Sequence, residues 1–271
     1  MTGNGTNKNR HIILCNCKGE RISSDLLSSL DGYLRNMPVH ITKVNDLCGI
    51  VHKDKEAVTR LFSVDEEHLV LGCYTRTMNL LLEQADVKTT GINYLNMVEK
   101  AREQVLNEIE EFCSGQENNP GFSEISEDSG WPSWYPVIDY SRCTSCGQCA
   151  DFCLFGVYDK TDKNVKVVNP ESCKNNCPAC ARICPSTAII FPKYRHGGAI
   201  GGSEEIDEQA ELKRQTQDIN EFLGNDIYSA IERRKVKRQS IIRQEAMNKA
   251  VSERENALRE IKMNNSTDVI I

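Results

Sequence analysis

The sequence predicts an α/β domain built on a small parallel sheet, a small cysteine-rich α+β domain, and a helical C-terminal tail. Three observations carry this reading. Short apolar runs alternate with amphipathic stretches from His11 to Cys113, and eight cysteines crowd between Cys143 and Cys184. After Ile206, apolar residues recur every three or four positions in a background of Glu, Lys, Arg and Gln.

The first domain, residues 1–113, opens with a compact apolar strand at His11–Cys15 and a helix near Asp25–Asn36 whose Leu26, Leu27, Leu30 and Leu34 share one face. Strand Val39–Val44 with helix Lys53–Phe62 and strand His68–Gly72 with helix Thr77–Ala85 repeat the unit. A strand near Gly91–Tyr94 and a helix carrying Val98, Ala101, Val105, Ile109 and Phe112 close it. Strand–helix repeats of this length imply parallel strands covered by helices. Residues 114–130 carry four acidic residues and no basic one among Gly, Pro and Ser, the composition of a linker. Residues 131–195 form the cysteine-rich domain, the glycine-rich 196–205 reads as a hinge, and 206–271 is the tail. Its thin apolar stripe calls for a docking surface, and the basic run Glu232–Arg243 adds charge to it.

The net charge of −6 and pI near 5.5 argue against nucleic acid or an anionic membrane surface as the main partner. No apolar run approaches a membrane span, and the polar start lacks a signal-peptide core. Thirteen cysteines in such a chain imply a reducing, cytoplasmic setting in which thiols serve as metal ligands.

The run Cys143-x2-Cys146-x2-Cys149-x3-Cys153 presents three thiolates to one cubane while the fourth points away, and Cys173-x3-Cys177-x2-Cys180-x3-Cys184-Pro185 repeats it. Val137–Asp139, a hairpin of Val157–Tyr158 and Val165–Val168, and Ala188–Phe191 supply short strands around the runs. This segment resembles the bacterial dicluster ferredoxin fold. The resemblance implies two [4Fe–4S] clusters with crossed ligation: Cys143, Cys146, Cys149 and Cys184 on one, and Cys173, Cys177, Cys180 and Cys153 on the other. Leu154 stands where that family usually has proline, and the second run has one extra residue between its first two cysteines. A zinc ribbon could use paired thiolates, but two near-repeats ending in Cys-Pro argue against it. The spacing of Cys173, Cys177 and Cys180 also matches a radical-SAM triad. That reading fails for want of a barrel of about two hundred residues and because Cys184 offers a fourth thiol.

Cys15 and Cys17 follow the first strand, Cys48 the second and Cys73 the third. In a parallel sheet those positions share the carboxyl edge where ligands bind. Four thiols there could hold a third [4Fe–4S] cluster or zinc, or lie as unconnected buried thiols. The segments HIILCNCKG, NDLCGIV and LVLGCYTRT, with the later FPKYRHGGAIGG, resemble the flavin-containing subunit of heterodisulfide reductase, whose N-terminal region carries an iron–sulfur cluster ahead of a flavin domain. GGAIGG lacks the G-x-G-x-x-G spacing, so no flavin is expected in this chain and a flavoprotein becomes an expected partner. Arg76 and Thr77 could bias a group near Cys73, Cys113 reads as a helix-face thiol, and the five histidines show no site spacing.

Together these readings imply an iron–sulfur electron-transfer subunit of a heterodisulfide-reductase-like complex of anaerobic metabolism. It would relay single electrons between a flavoprotein or ferredoxin donor and a catalytic partner, with no catalytic residue of its own. Two other classes stand beside it: a reductase of a disulfide or small substrate at the N-terminal site, and a redox-sensing or assembly protein with structural clusters.

Overall fold

The computed structural model describes residues 9–17, 21–116, 119–126, 130–161, 164–211 and 244–267, the last with side chains from 247 to 261. Two compact units share the chain. One comprises residues up to Ser133 with Arg195–Gly197 and Gly201–Glu204, and the other comprises Trp134–Tyr194, Gly198–Ile200 and the chain from Glu205.

The first unit is a five-stranded, wholly parallel sheet. Its strands are β1 (Asn9–Cys15), β2 (His40–Val44), β3 (Glu66–Gly72), β4 (Asn93–Asn96) and β5 (Gly121–Ile125), in spatial order β4-β3-β1-β2-β5. The central strands β1 and β3 are nearly continuous apolar runs because both faces are covered. Ile12, Leu14, Ile41, Leu69 and Leu71 pack on one face with Leu26, Leu30 and Leu34 of α1 (Ser24–Leu34) and with Val105, Ile109 and Cys113 of α5 (Arg102–Cys113). Each such side chain contributes about 1.5–3 kcal/mol by leaving water. Ile13 and Val70 alternate to the opposite face and are fully buried. Buried Val51 of α2 (Leu47–Lys53), Val58 of α3 (Lys55–Arg60) and Met78 and Leu81 of α4 (Thr75–Gln84) complete the core.

Three differences from the sequence reading have physical causes. The expected helix Lys53–Phe62 is the shorter α3, started by Asp54, whose side chain accepts from the Ala57 amide at 2.8 Å, and a helix the sequence reading did not expect, α2, precedes it. Cys48 therefore lies in the first turn of α2 rather than in a loop. The stretch read as an acidic linker contributes β5, an edge strand in register with β2 from His40↔Gly121 to Val44↔Ile125. Arg35 lies over the Phe122 ring there at 3.7 Å. The glycine-rich stretch read as a hinge contains a one-turn helix, α8 (Gly198–Gly201). The Gly201 carbonyl accepts from Arg21 at 2.7 Å and from Thr77 Oγ1 at 3.1 Å.

The second unit contains β6 (Val137–Ile138) antiparallel to β9 (Ile189–Ile190), and the hairpin of β7 (Tyr158–Lys160) and β8 (Val165–Val167). Two short helices, α6 (Gln148–Phe152) and α7 (Ala179–Arg182), complete its centre. The expected flanking strands are thus present at their expected places. The described part of the tail is one helix, α9 (Gln244–Thr267), which packs on α7 with Ala250 and Ala257 buried. Of the expected stripe, Met247, Val251, Leu258 and Ile261 fall on α9, whereas Ile219 to Ile242 and the basic run Glu232–Arg243 lie outside the described residues. Among the described residues no helix is long and apolar enough to cross a membrane.

Candidate metal centres

None of the thirteen cysteines is disulfide-bonded, and twelve of them gather in three groups of four. The N-terminal group sits at the carboxyl edge of the sheet. The order β4-β3-β1-β2-β5 reverses direction at β1, and the crevice beyond β1 and β3 is the topological switch point of such a sheet. Cys15 ends β1, Cys17 follows it, Cys73 follows β3, and Cys48 comes from α2 beyond β2. The Cys15 thiol is raised well above its ordinary value by a hydrogen bond to Cys17, by burial, and by the nearby Cys17, Cys48 and Cys73. Burial and Cys17 push Cys73 up to about 12, against the opposing charge of Arg21. Gly72 permits this convergence, since a Cβ there would stand 2.7 Å from Met78 Sδ and 3.3 Å from Cys15 Cβ. Arg21, held over the Tyr74 ring at 5.2 Å, is the cation beside Cys73 that the sequence reading missed. Thr77 is fully buried and spends its hydroxyl on the Gly201 and Gly202 carbonyls.

The central eight cysteines divide by geometry into two quartets. Burial raises Cys149 to about 12, followed by the influence of Cys184, Cys146 and Cys143, with the Ala150 amide opposing. Cys180 is raised by burial and by Cys173, Cys177 and Cys153, with Tyr158 opposing. Each quartet therefore draws three thiols from one run and the fourth from the other. The two runs fold alike: Ser145 before Cys146 and Asn176 before Cys177 both adopt left-handed backbone, with φ of 54° and 60°. Gly147, at φ 76°, starts α6, and a Cβ there would collide with the Lys160 side chain.

Donors surround the sulfurs. Tyr158 donates its hydroxyl to Cys180 Sγ at 3.0 Å, and the Ala188 amide donates to Cys184 Sγ at 3.3 Å. Burial, with Cys177 and Cys153, raises the Cys173 thiol, and the Trp134 indole N–H, buried without a hydrogen-bond partner, opposes it. A small pocket, open to solvent, is lined by Cys153, Cys173, Cys177 and Cys180 together with Phe152 and Tyr158. In the first quartet Cys146 is exposed.

The donor set fits iron–sulfur clusters. Every group is thiol-only, the soft set that clusters and zinc prefer. Cys113 stands apart in the α1–α5 core, where burial raises its thiol and Arg10 opposes, with no other cysteine acting on it.

One cluster of side chains escaped the sequence reading altogether. His11, His40 and His68 stand level on β1, β2 and β3 at the opposite edge of the sheet. Ring centroids lie 4.9 Å apart for His11 and His40 and 5.6 Å for His11 and His68. Burial and the two neighbouring rings push His11 down to about 4, opposed by the Leu61 carbonyl.

Residues 136–156 match the model of the 4Fe-4S binding domain family. An uncharacterized ferredoxin of Methanocaldococcus jannaschii is 52% identical over 61 residues, 22% of this chain and 42% of that protein, so the chain spans under half of this relative. The pyruvate synthase subunit PorD of Methanothermobacter marburgensis is 31% identical over 76 residues, 28% of this chain and 88% of PorD. A second uncharacterized ferredoxin of M. jannaschii is 37% identical over 59 residues, 20% of this chain and 74% of that protein. No solved structure matches the chain significantly. The family model and these relatives support [4Fe–4S] binding and an electron-transfer role. Through its cysteine-rich central module, the chain belongs to the 4Fe–4S ferredoxins.

Proposed function

We propose that this chain is the iron–sulfur electron-transfer subunit of a heterodisulfide-reductase-like redox complex, with two [4Fe–4S] sites in its central module and a third at the sheet edge. The observation that carries the proposal is the crossed division of eight thiols into two quartets, one of which lines a cavity. In their bound state, [4Fe–4S] clusters take up and release single electrons. The protein supplies ligands, spacing and tuning. Cys143, Cys146, Cys149 and Cys184 would hold the first cluster, Cys173, Cys177, Cys180 and Cys153 the second, and Cys15, Cys17, Cys48 and Cys73 the third.

These thiols resist ionisation where burial raises them, so loading releases protons and the positive irons replace them as counter-charge. Tyr158 and the Ala188 amide place hydrogen bonds on two of these sulfurs, which favours the more negative, reduced state. Exposed Cys146 makes the first quartet the contact point for a docking redox protein. The likeness to PorD, named as a pyruvate synthase subunit, supports a place among partner subunits, one of which we take to be a flavoprotein. The likeness of the N-terminal segments to the flavin-containing heterodisulfide reductase subunit supports the third site.

Crossed ligation is the testable core. In anaerobically loaded full-length protein, Cys153→Ser should alter the electron paramagnetic resonance signal of the second-run cluster and leave the first-run signal in place. An altered first-run signal with an intact second-run signal would refute the assignment.

A further inference from the structure

Two histidines and a glutamate at the amino edge of the first unit's sheet are unaccounted for by the cysteine sites. His11 lies at the start of β1, Glu66 and His68 at the start of β3, and the parallel register sets His11 beside His68. One ligand atom from each of the three lies within 4.8 Å of the others. Both histidines are buried, with exposures of 5% and 4%.

Ring orientation distinguishes this cluster from ordinary packing. His68 Nε2 lies 2.9 Å from the Ser63 carbonyl, which can only accept, so that nitrogen carries the proton and Nδ1 presents a lone pair. Nδ1 is buried and has no hydrogen-bond partner. His11 is turned likewise: its Nε2 contacts Thr42 Oγ1 at 2.8 Å, while Nδ1 faces Glu66 Oε2 at 4.0 Å. Thr42 Oγ1 is itself 2.8 Å from Ser123 Oγ, so a hydroxyl pair on β2 and β5 fixes the His11 ring. His68 therefore uses Nε2 for orientation and leaves Nδ1 without a donor, while His11 is oriented through Nε2, with the Leu61 carbonyl also acting on its ring, and faces the Glu66 carboxylate with Nδ1, as metal-binding histidines are oriented through one nitrogen. A lone pair buried without a donor costs stability that a cation would restore.

We propose that His11 Nδ1, His68 Nδ1 and the Glu66 carboxylate form a mononuclear site for a first-row divalent ion, with zinc as the fitting occupant. Two imidazoles and one carboxylate are the ligand set of an open zinc site. The one-third exposure of the Glu66 side chain leaves a remaining position accessible to water. The all-thiol quartet at the carboxyl edge is chemically distinct from it, so one sheet would carry a thiol site at one edge and a nitrogen–oxygen-bound ion at the other.

The test uses full-length, cluster-loaded protein incubated anaerobically with zinc chloride and then desalted. About one zinc per chain should remain, and zinc-edge X-ray absorption should show nitrogen and oxygen neighbours near 2.0–2.1 Å without sulfur near 2.3 Å. Glu66→Gln, at a partly exposed position, should lower zinc retention at least tenfold while cluster absorption and circular dichroism stay unchanged. His68→Asn should do the same. A sulfur shell, no retained zinc, or equal retention by wild type and Glu66→Gln would each overturn the proposal.

Discussion

At the scale of single residues, tuning depends on groups that touch the sulfurs without being ligands. Tyr158 illustrates this, because burial and the neighbouring thiols push its own ionisation well up and keep it a donor to Cys180. Losing one such bond, worth about 1 kcal/mol, should make the second-quartet potential more negative by roughly 40 mV for a one-electron couple. Redox titration of Tyr158→Phe checks this. Asp31 provides a separate residue-level effect. A hydrogen bond from Lys43, with Arg35 beside it, holds its carboxyl below the usual range. The stability it adds is complete above the unfolded carboxylate value and is lost as pH falls through the lower folded value. Asp31→Asn should cost at most about 1 kcal/mol at pH 7 for so exposed a pair, with the difference from wild type vanishing in acid. Urea titrations at several pH values measure it. The histidines show what single residues conceal. Nothing local in the sequence links positions 11, 40 and 68, and only sheet register aligns them. The available signal was that HIIL, HITKV and HLVL each open an apolar strand run with histidine.

At the scale of elements, the sequence made the buried strands and the cysteine runs legible because their signals are local: continuous apolar runs and fixed thiol spacing. It concealed β5, whose GFSEI sequence is half-exposed at a sheet edge and shows neither an apolar run nor a clean alternation. The division between α2 and α3 was hidden for another reason, since one Asp cap interrupts an otherwise helical stretch. The tail stripe was read as a dock, and the described helix α9 is docked on the chain's own module. Arg182 bonds both Glu253 oxygens at 2.8 and 2.9 Å, Lys174 pairs with Glu260 at 3.1 Å, and Arg254 covers Phe152 at 4.8 Å. Met247 and Ala250 pack with Cys177 and Ile183. Ala250→Arg would place a charge where the exposure is 0% and should displace α9. The expected outcome is faster loss of the second-quartet cluster in air, followed by absorbance, with the first-quartet signal outlasting it.

At the scale of the whole molecule, the proposed three [4Fe–4S] sites would bring about 12 irons to a fully loaded chain. Cys48→Ser would remove the one ligand proposed on α2 and should lower iron and sulfide by about four each. The central pair of signals should persist, because its ligands all lie between Cys143 and Cys184. Iron and acid-labile sulfide assays on anaerobic protein decide it. Unchanged iron would confine electron transfer to the ferredoxin module and leave the sheet edge as scaffold. The carboxyl-edge convergence was legible in the sequence because parallel strands place every strand end together. Its partner cation Arg21 was not, since it reaches Cys73 only across the fold.

The pairing of β6 with β9 has a consequence for how such a chain is assembled in evolution. Val137 lies opposite Ile190, so the entrance and exit of the ferredoxin module are neighbours in an antiparallel ladder. The first unit's own chain resumes at Arg195, after the module that began at Trp134. A segment whose two ends meet can be spliced into a surface loop of a host without stretching either partner. The module is in this sense a cassette, though not a self-contained one: α9, which follows the first unit's last segment, packs on α7, so a replacement ferredoxin would need to carry its own docking helix.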